Sequence, residues 1–316
     1  MLSYAIKRIG LAVLIIFVVM LAMYAMVFLV PGDPASLALG PRATPELKRA
    51  LMERMGLDQP IYVQVWNFFR NALTGDLGYD VWSKRPVSEM IAEVFPNTLF
   101  LGAVAMTIAL VAGIGLGCLA VVWQGGAVDR VLAVLSVSMI SIPSFVVAIY
   151  LLLVFAVWLG WFPAIGAGEP GDWGSQIRAV VLPAAAIAIT WVGYLARLVR
   201  ASMLEVMAAN HVRTARAFGL TEARIVLRYA LRVAIVPVIA IVAVGFGSIL
   251  SSAVFVETVF SRPGIGTLIT SAVQKRNFPV VMGSVLFMTA FYLTVVTLAD
   301  LLMAKLDPRV RDTLGG

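Results

Sequence analysis

The sequence predicts an all-α integral membrane protein with about six transmembrane helices. Three observations predict it: the composition, the recurrence of long apolar runs, and the placement of the basic residues. The 316 residues are 61% hydrophobic and only 13% charged, with a mean hydropathy of +0.97, far from the balance of a water-soluble domain. Runs near the ~20 residues needed to cross a hydrocarbon core recur along most of the chain, so a single membrane domain accounts for its length. The net charge of +7 sits beside and between apolar runs and forms no aromatic-interleaved patch. It suits anionic lipid and cytoplasmic partners, not nucleic acid.

The first span, residues 9–30, follows Lys7-Arg8 and has the outline of a signal peptide. It is too long for one and lacks an A-x-A site, so it reads as a retained helix of about 33 Å. Residues 31–95 depart from membrane composition and carry balanced charges, as an exported subdomain resting on the membrane would. Within them Thr44-Pro45 reads as N-cap and N1, Leu47, Ala50, Leu51 and Met55 share a helical face, and Gly56 closes the helix. Pro60 starts a second helix with Ile61, Val65, Phe68, Phe69 and Ala72 on one side.

Five further spans follow at 98–122, 131–159, 179–199, 233–255 and 280–304, with no repeat relating the halves. In the second, Gly113-Ile114-Gly115-Leu116-Gly117 permits close helix crossing. The third is longer than a straight crossing needs and contains Pro143, which predicts a tilt or kink. Beside it lie Ser138, Ser141 and Ser144, whose hydroxyls either re-satisfy backbone groups freed by the proline, such as the Met139 carbonyl, or form a polar strip along a substrate path. Ser248, Ser251 and Ser252 in the fifth span, near Gly245 and Gly247, admit the same two readings. The proposed translocation path therefore comprises Ser138, Ser141, Pro143, Ser144, Ser248, Ser251 and Ser252.

Short-loop charge orients the chain. A cytoplasmic amino terminus puts Lys7, Arg8, Arg130, the arginines from Arg197 to Arg232, and Lys305, Arg309 and Arg311 inside, and leaves only Arg178, Arg262, Lys275 and Arg276 in the short outer loops. Both termini are then cytoplasmic. On that inner side residues 205–219 form a run rich in small residues ended by Gly219, a residue suited to C′, after which Thr221 can cap a new helix. Such a run can be a plain connector, or it can lie close against a partner. Arg224, Arg228 and Arg232, four residues apart, make a basic stripe for lipid headgroups or for acidic groups on a partner.

Enzymatic chemistry has little to draw on. His211 is the only histidine and Cys118, in an apolar span, the only cysteine. No histidine- or cysteine-based metal site, Ser-His pair with a spare base, or intrachain disulfide can be built. No G-x-x-x-x-G-K-[ST] loop is present, so energy for any work comes from elsewhere. Glu257 and Asp300 are the acids nearest the apolar spans and are functional candidates by default. Their place near span ends favours solvated or loop-pairing roles. The turn Arg262-Pro263-Gly264-Ile265-Gly266 is a loop that can help close an outer mouth, so Glu257, Pro263, Gly264 and Gly266 are the candidate outer gate.

The string Val212-Arg213-Thr214-Ala215-Arg216-Ala217-Phe218-Gly219-Leu220, followed by Arg228-Tyr229-Ala230-Leu231-Arg232 and Pro237, closely resembles the cytoplasmic loop of dipeptide and oligopeptide ABC transporter permeases. So do Pro31-Gly32-Asp33-Pro34, Gly56-Leu57-Asp58, Gly75-Asp76-Leu77-Gly78, Pro96-Asn97-Thr98, Ile142-Pro143-Ser144-Phe145, Val256-Glu257-Thr258-Val259-Phe260, Pro263-Gly264-Ile265-Gly266 and Leu306-Asp307-Pro308-Arg309. Each string is weak; in order over nearly the whole chain they are specific.

The resemblance implies a type I ABC importer permease fold in the bacterial inner membrane, with an extracytoplasmic helical insertion at 31–95 after a first helix at 1–30. A five-helix core at 96–304 contains the loop 200–232, and a cytoplasmic tail at 305–316 ends the chain. It further implies a second homologous permease as heterodimer partner, two cytoplasmic ATP-binding subunits that carry the ATP and Mg, and an extracytoplasmic solute-binding protein. This chain itself binds no cofactor and is not an enzyme. The loop helix of that family docks in a groove of an ATPase subunit. Arg213, Thr214, Ala215 and Gly219 occupy the matching positions, and with Glu205 and Arg216 they form the expected coupling loop. Phe218 stands where lysine is usual, His211 where an aromatic is, and Tyr229 where histidine is frequent.

The implied substrates are di- or oligopeptides or similar small solutes. Glutathione, nickel chelates and opines are the alternatives within the class. A secondary transporter would need coupling carboxylates or broken helices at the midplane, often in repeated halves, and a membrane enzyme would need converging acids, bases or metals. The sequence offers neither.

Overall fold

The structure is a computed structural model that describes residues 2–29, 44–55 and 59–306. Pro31-Gly32-Asp33-Pro34, Gly56-Leu57-Asp58, Asp307-Pro308-Arg309 and nearly all of the 305–316 tail lie outside the described residues. In chain order the helices are α1 (Leu2–Leu29), α2 (Pro45–Met55), α3 (Ile61–Leu73), α4 (Val87–Val122), α5 (Ala127–Ser141), α6 (Ser144–Leu151), α7 (Trp173–Met207), α8 (Asn210–Ala217), α9 (Glu222–Arg224), α10 (Leu231–Ala234), α11 (Val236–Val259), α12 (Ile265–Gln274) and α13 (Phe278–Leu306). Two π-helical stretches, Leu152–Trp158 and Ile225–Ala230, extend α6 and join α9 to α10.

Among the described residues, Ile6–Ala25, Val87–Val122, Trp173–Met207 and Phe278–Leu301 are each long and apolar enough to cross a membrane, and a broken pair supplies a fifth candidate. The remaining predicted span is α11, whose 24 residues make a helix of about 36 Å. The second span begins well before Thr98, at Val87, because Pro96 is carried inside a continuous helix. The third is more than kinked: Ala127–Ser141 and Ser144–Trp158 meet at 100°. Pro143 cannot donate a backbone hydrogen bond and drives the preceding residue out of the helical region, and Ile142 accordingly adopts φ −93°, ψ 123°.

The chain divides into two compact units, one formed by Met1–Pro96 with Gly264–Gly316 and the other by Asn97–Pro263. In the first, α1 lies along α13 and touches α3, around a core of Met20, Tyr24, Val65, Met282 and Leu286. Most of α1 exposes apolar side chains such as Leu11, Leu14 and Val18, as a helix bathed in lipid does. A hairpin closed by a Tyr79–Pro86 bridge is organised by buried Asp80. Its carboxylate accepts from the backbone amides of Trp82 and Ser83, the Ser83 hydroxyl and the Asn277 carboxamide. Burial pushes the Asp80 carboxyl up, but those hydrogen bonds outweigh it and hold the group below the usual carboxylate range. The Asn277 bond fixes the hairpin to the turn before α13.

The second unit is built around α7, whose buried residues run from Ala179 to Met203. Helices α5, α6 and α11 all lie against it. Small residues set these distances. A Cβ placed on Gly113 or Gly117 would stand 2.7 Å from the Cβ of Leu195 or Val199, so α4 crosses α7 in van der Waals contact through glycines one turn apart. Gly115, between them, has open space instead. Gly193 meets the Ser136 carbonyl of α5, and Gly245 of α11 meets the ring of Trp191. Cys118 is buried with its Sγ 3.6 Å from the Met203 Sδ, a packing role.

Candidate functional site

Helix α7 leaves the core at Met207, and after the turn Ala208-Ala209 the chain re-enters helix as α8. This eight-residue arm is amphipathic. Val212 and Ala215 are buried with Ile225, and Val206, Met207 and Leu220 close around them. Of the residues expected in the coupling loop, Glu205, Arg213, Thr214, Arg216 and Gly219 are exposed, and Ala215 is the one turned inward. Thr214 donates its hydroxyl to the Asn210 carbonyl one turn back. Phe218, at the tip, is 82% exposed.

Gly219 stands at C′ with φ +77°, the left-handed region in which glycine is least penalised. A Cβ there would meet nothing within 4 Å, so the requirement is conformational. Across this turn Arg216 grips Glu222, Nε to Oε1 at 2.7 Å and Nη2 to Oε2 at 3.2 Å. The Arg216 side chain thus braces the arm from within. The guanidinium's hydrogen bond holds the Glu222 carboxyl below its usual range. Thr221 occupies the N-cap position of α9, yet its side chain makes no capping hydrogen bond. Arg224, Arg228 and Arg232 are all exposed, along a stretch that is π-helical between Ile225 and Ala230.

A pair that sequence reading missed secures α7 near the root of the arm. Arg200 donates to Asp129 through Nε at 2.7 Å and Nη2 at 2.8 Å, and the Gly125 amide donates to the same carboxylate at 3.1 Å. Asp129 is buried. The turn before α5 is therefore fastened to the α7 end from which α8 departs. Sequence reading places Arg130 among the inner-side cations and draws nothing from Asp129, which only the tertiary contact marks out.

The serines fall on the surface of the second unit. Ser138 and Ser141 are exposed and donate to the carbonyls of Val134 and Val137. Their partners lie one turn back and do not include the Met139 carbonyl that the proline was expected to free. Ser144 and Ser252 are half-buried, and Ser248 and Ser251 are exposed. Ser251 donates to the Gly247 carbonyl. Pro143 is exposed at the start of α6. Phe145 and Phe255 bring α6 and α11 together, with ring centroids 6.2 Å apart.

Of the two roles expected for Glu257, solvated or loop-pairing, its burial excludes the solvated one. Glu257 is 0% exposed and accepts a 2.6 Å hydrogen bond from the Thr98 hydroxyl, itself 1% exposed. Arg262, 1% exposed, lies within electrostatic reach of that carboxylate, and its backbone amide donates to the Glu257 carbonyl at 2.9 Å. Thr98 and Glu257, distant in sequence, thus meet in the second unit. Pro263 is exposed in that unit. Gly264 and Gly266 belong to the first, where Gly264 precedes α12 with extended backbone and Gly266 is buried. Asp300 pairs with Arg8 at 2.9 Å.

Comparison with known proteins agrees with this architecture. Residues 91–312 match the binding-protein-dependent transport system inner membrane component, and residues 1–102 match the N-terminal membrane component of such systems. The glutathione transport system permease protein GsiC of Escherichia coli (strain K12) is 35% identical over 311 residues, covering 98% of this chain and 99% of the relative. The protein of the same name from Shigella flexneri serotype 5b (strain 8401) matches at the same identity and coverage. Among solved structures, an inward-facing MetNI methionine ABC transporter aligns with TM-score 0.58 at 16% identity, over 69% of this chain and 96% of that one. An amino acid ABC transporter with histidines aligns with TM-score 0.51 at 20% identity, over 69% and 94%. The fold is that of type I ABC importer permeases. The chain belongs to the binding-protein-dependent transport system inner membrane component family and is a multi-pass ABC importer permease.

Proposed function

We propose that this permease moves a short peptide or peptide-like solute inward, with glutathione the first to test, and that α8 is the arm through which ATP hydrolysis drives it. The observation that carries the substrate class is the near-full-length likeness to GsiC, whose name specifies glutathione transport. Glutathione is a modified tripeptide, which keeps it close to the di- and oligopeptides implied by the sequence motifs. Selectivity in this reading rests largely with a separate extracytoplasmic solute-binding protein.

In the proposed complex the chain pairs with a second homologous permease, and two cytoplasmic ATPase subunits hold ATP and Mg. Both termini face the cytoplasm. Closure of the ATPases pushes on the exposed Arg213 and Phe218 of α8 and its cap, and on Glu205 at the end of α7. The buried face, Val212 and Ala215 against Ile225, passes the push to the α7 end. Because α4, α5, α6 and α11 meet α7 through glycines or direct contact, displacement of that helix rocks its neighbours between inward-open and outward-open arrangements. The hydroxyls of Ser248, Ser251 and Ser252 would then line the path, and Glu257 and the turn after it would close its outer end.

Gly219→Glu puts a side chain into the left-handed region at the arm's end, which costs roughly 1–2 kcal/mol in local backbone energy, and sets an acid beside Glu222. The variant complex is expected to copurify intact and to lose glutathione uptake in inverted-membrane or proteoliposome assays driven by ATP. Undiminished uptake removes the arm. A different small molecule recovered from the cognate binding protein removes glutathione but leaves the arm standing.

A further inference from the structure

We propose that the first unit carries a binding site for one acyl chain of a membrane phospholipid, with Arg70 of α3 placed for the lipid's phosphate. The site is a cavity of about 660 Å³ whose walls come from α1 (Val13, Ile16), α3 (Phe69, Leu73), α4 (Phe95) and α13 (Phe287). That volume holds on the order of twenty groups the size of a water molecule, enough for one saturated chain. Ser88 supplies the only side-chain hydrogen-bonding group among its lining residues. A peptide, an ion or a string of waters would therefore find its polar groups unmatched, and an aliphatic chain would not.

The surroundings decide what fills it. Three walls belong to helices long and apolar enough to span a bilayer, so at that height the medium is hydrocarbon, and of the lining residues only Gly75 and Leu77 lie outside a helix. The fourth wall, α3, has two apolar stripes. Val65, Phe68 and Ala72 face the α1 and α13 core. Tyr62, Trp66 and Leu73, on the other stripe, are exposed. Exposed Tyr and Trp one turn apart beside an apolar stripe are the residues of a membrane interface. Phe69 lies on that same stripe at helical spacing and lines the cavity, as does Leu73, which is 75% exposed. The mouth thus opens on the side that α3 presents to the interface. Arg70, exposed beside the stripe, has the reach and charge of a phosphate partner.

This inference rests on the membrane character of the chain and is independent of the substrate and of the α8 arm. The test uses the full complex in nanodiscs of phosphatidylethanolamine and phosphatidylglycerol, with a trace of phosphatidylglycerol bearing a diazirine midway along one acyl chain. Crosslinks mapped by mass spectrometry are expected to concentrate on the α3 and α13 cavity walls, about tenfold above the exposed α1 face around Leu11 and Leu14, a ratio equivalent to about 1.4 kcal/mol of preference. Ala290→Trp fills the cavity and should reduce cavity labelling to the α1 level. Ala92→Trp, at an exposed lining position, should do the same without touching the core. Arg70→Glu should weaken labelling by the phosphatidylglycerol probe. Labelling spread evenly over all apolar faces, or cavity labelling unchanged in both tryptophan variants, overturns the site. So does a crosslink placing residues 30–43 of the chain inside the cavity. Labelling unchanged by Arg70→Glu overturns the phosphate assignment. Loss of uptake in Gly219→Glu with labelling intact is the expected combination.

Discussion

Within the second unit the two ends of α11 are built on opposite principles. At one end Thr98, Glu257 and Arg262 are withdrawn almost entirely from solvent, with the Thr98 hydroxyl donating to the Glu257 carboxylate and Arg262 within its electrostatic reach. On the other side α8 is held by Val212 and Ala215 packed on Ile225 and by the exposed Arg216–Glu222 pair, and shows most of its length to solvent. A buried carboxylate tolerates only geometries that keep its hydrogen bonds, so this end resists displacement. A lightly held amphipathic arm with an exposed aromatic tip is incomplete until something covers it. The contrast is between an end closed around buried polar groups and an arm left open to solvent.

The sharpest way to break the comparison is to remove the buried acid. Glu257→Ala leaves the Thr98 hydroxyl without its acceptor and Arg262 without the carboxylate whose charge it senses, and losing one partner of a buried charge pair costs about 3–5 kcal/mol. The expected result is a large fall in the unfolding midpoint of the purified complex. Glu257→Gln keeps an acceptor of the same shape and is expected to lose much less. Equal, small losses in both would mean that the cluster stabilises nothing.

Next in size is the contact between the two ends. In Gly117→Val the new Cβ would stand 2.7 Å from the Val199 Cβ and 2.9 Å from the Ala196 carbonyl, so α4 and α7 must part, at about 1–3 kcal/mol. Gly115→Val, with nothing within 4 Å, is the matched control. If α7 links the ends, Gly117→Val should reduce transport per ATP hydrolysed while Gly115→Val leaves that ratio alone. Matching ratios for the two variants would show that the α4–α7 contact does not carry the coupling.

How much of this was legible in the sequence follows the range of each interaction. Most of the spans, a bend at Pro143 and the glycine ending α8 could be read because they depend on local hydropathy and backbone preference, while the 100° size of the bend could not. The paired glycines were legible as a motif, though the residues they face were not. Three polar contacts escaped: Asp129 with Arg200, Asp80 with Asn277, and Thr98 with Glu257. Each joins residues at least 71 positions apart, and hydropathy at a span end cannot tell a carboxylate that meets a partner from one that meets water. The serines at 138 and 141 show the converse. Their spacing to the proline suggested a repair role, but a hydroxyl on a helix reaches the carbonyl one turn back first.

The smallest effect is expected at the arm. Arg216→Ala removes an exposed pair, and screening and side-chain entropy limit such pairs to about 0–1 kcal/mol. Its pH dependence separates it from a packing effect. Arg216 lowers the Glu222 carboxyl in the folded protein, so the pair's contribution is fully present above the unfolded carboxylate value, ordinarily about 4.3. It is lost as pH falls through the lower folded value. Arg216 itself is raised further above an already high value and does not titrate in this window. The stability difference between wild type and Arg216→Ala should therefore be steady near neutrality and close toward zero in acid. Raised salt should shrink it at any pH. A difference that persists in acid would assign Arg216's role to its aliphatic stem, and the arm would then be braced by contact where the present geometry has it braced by charge.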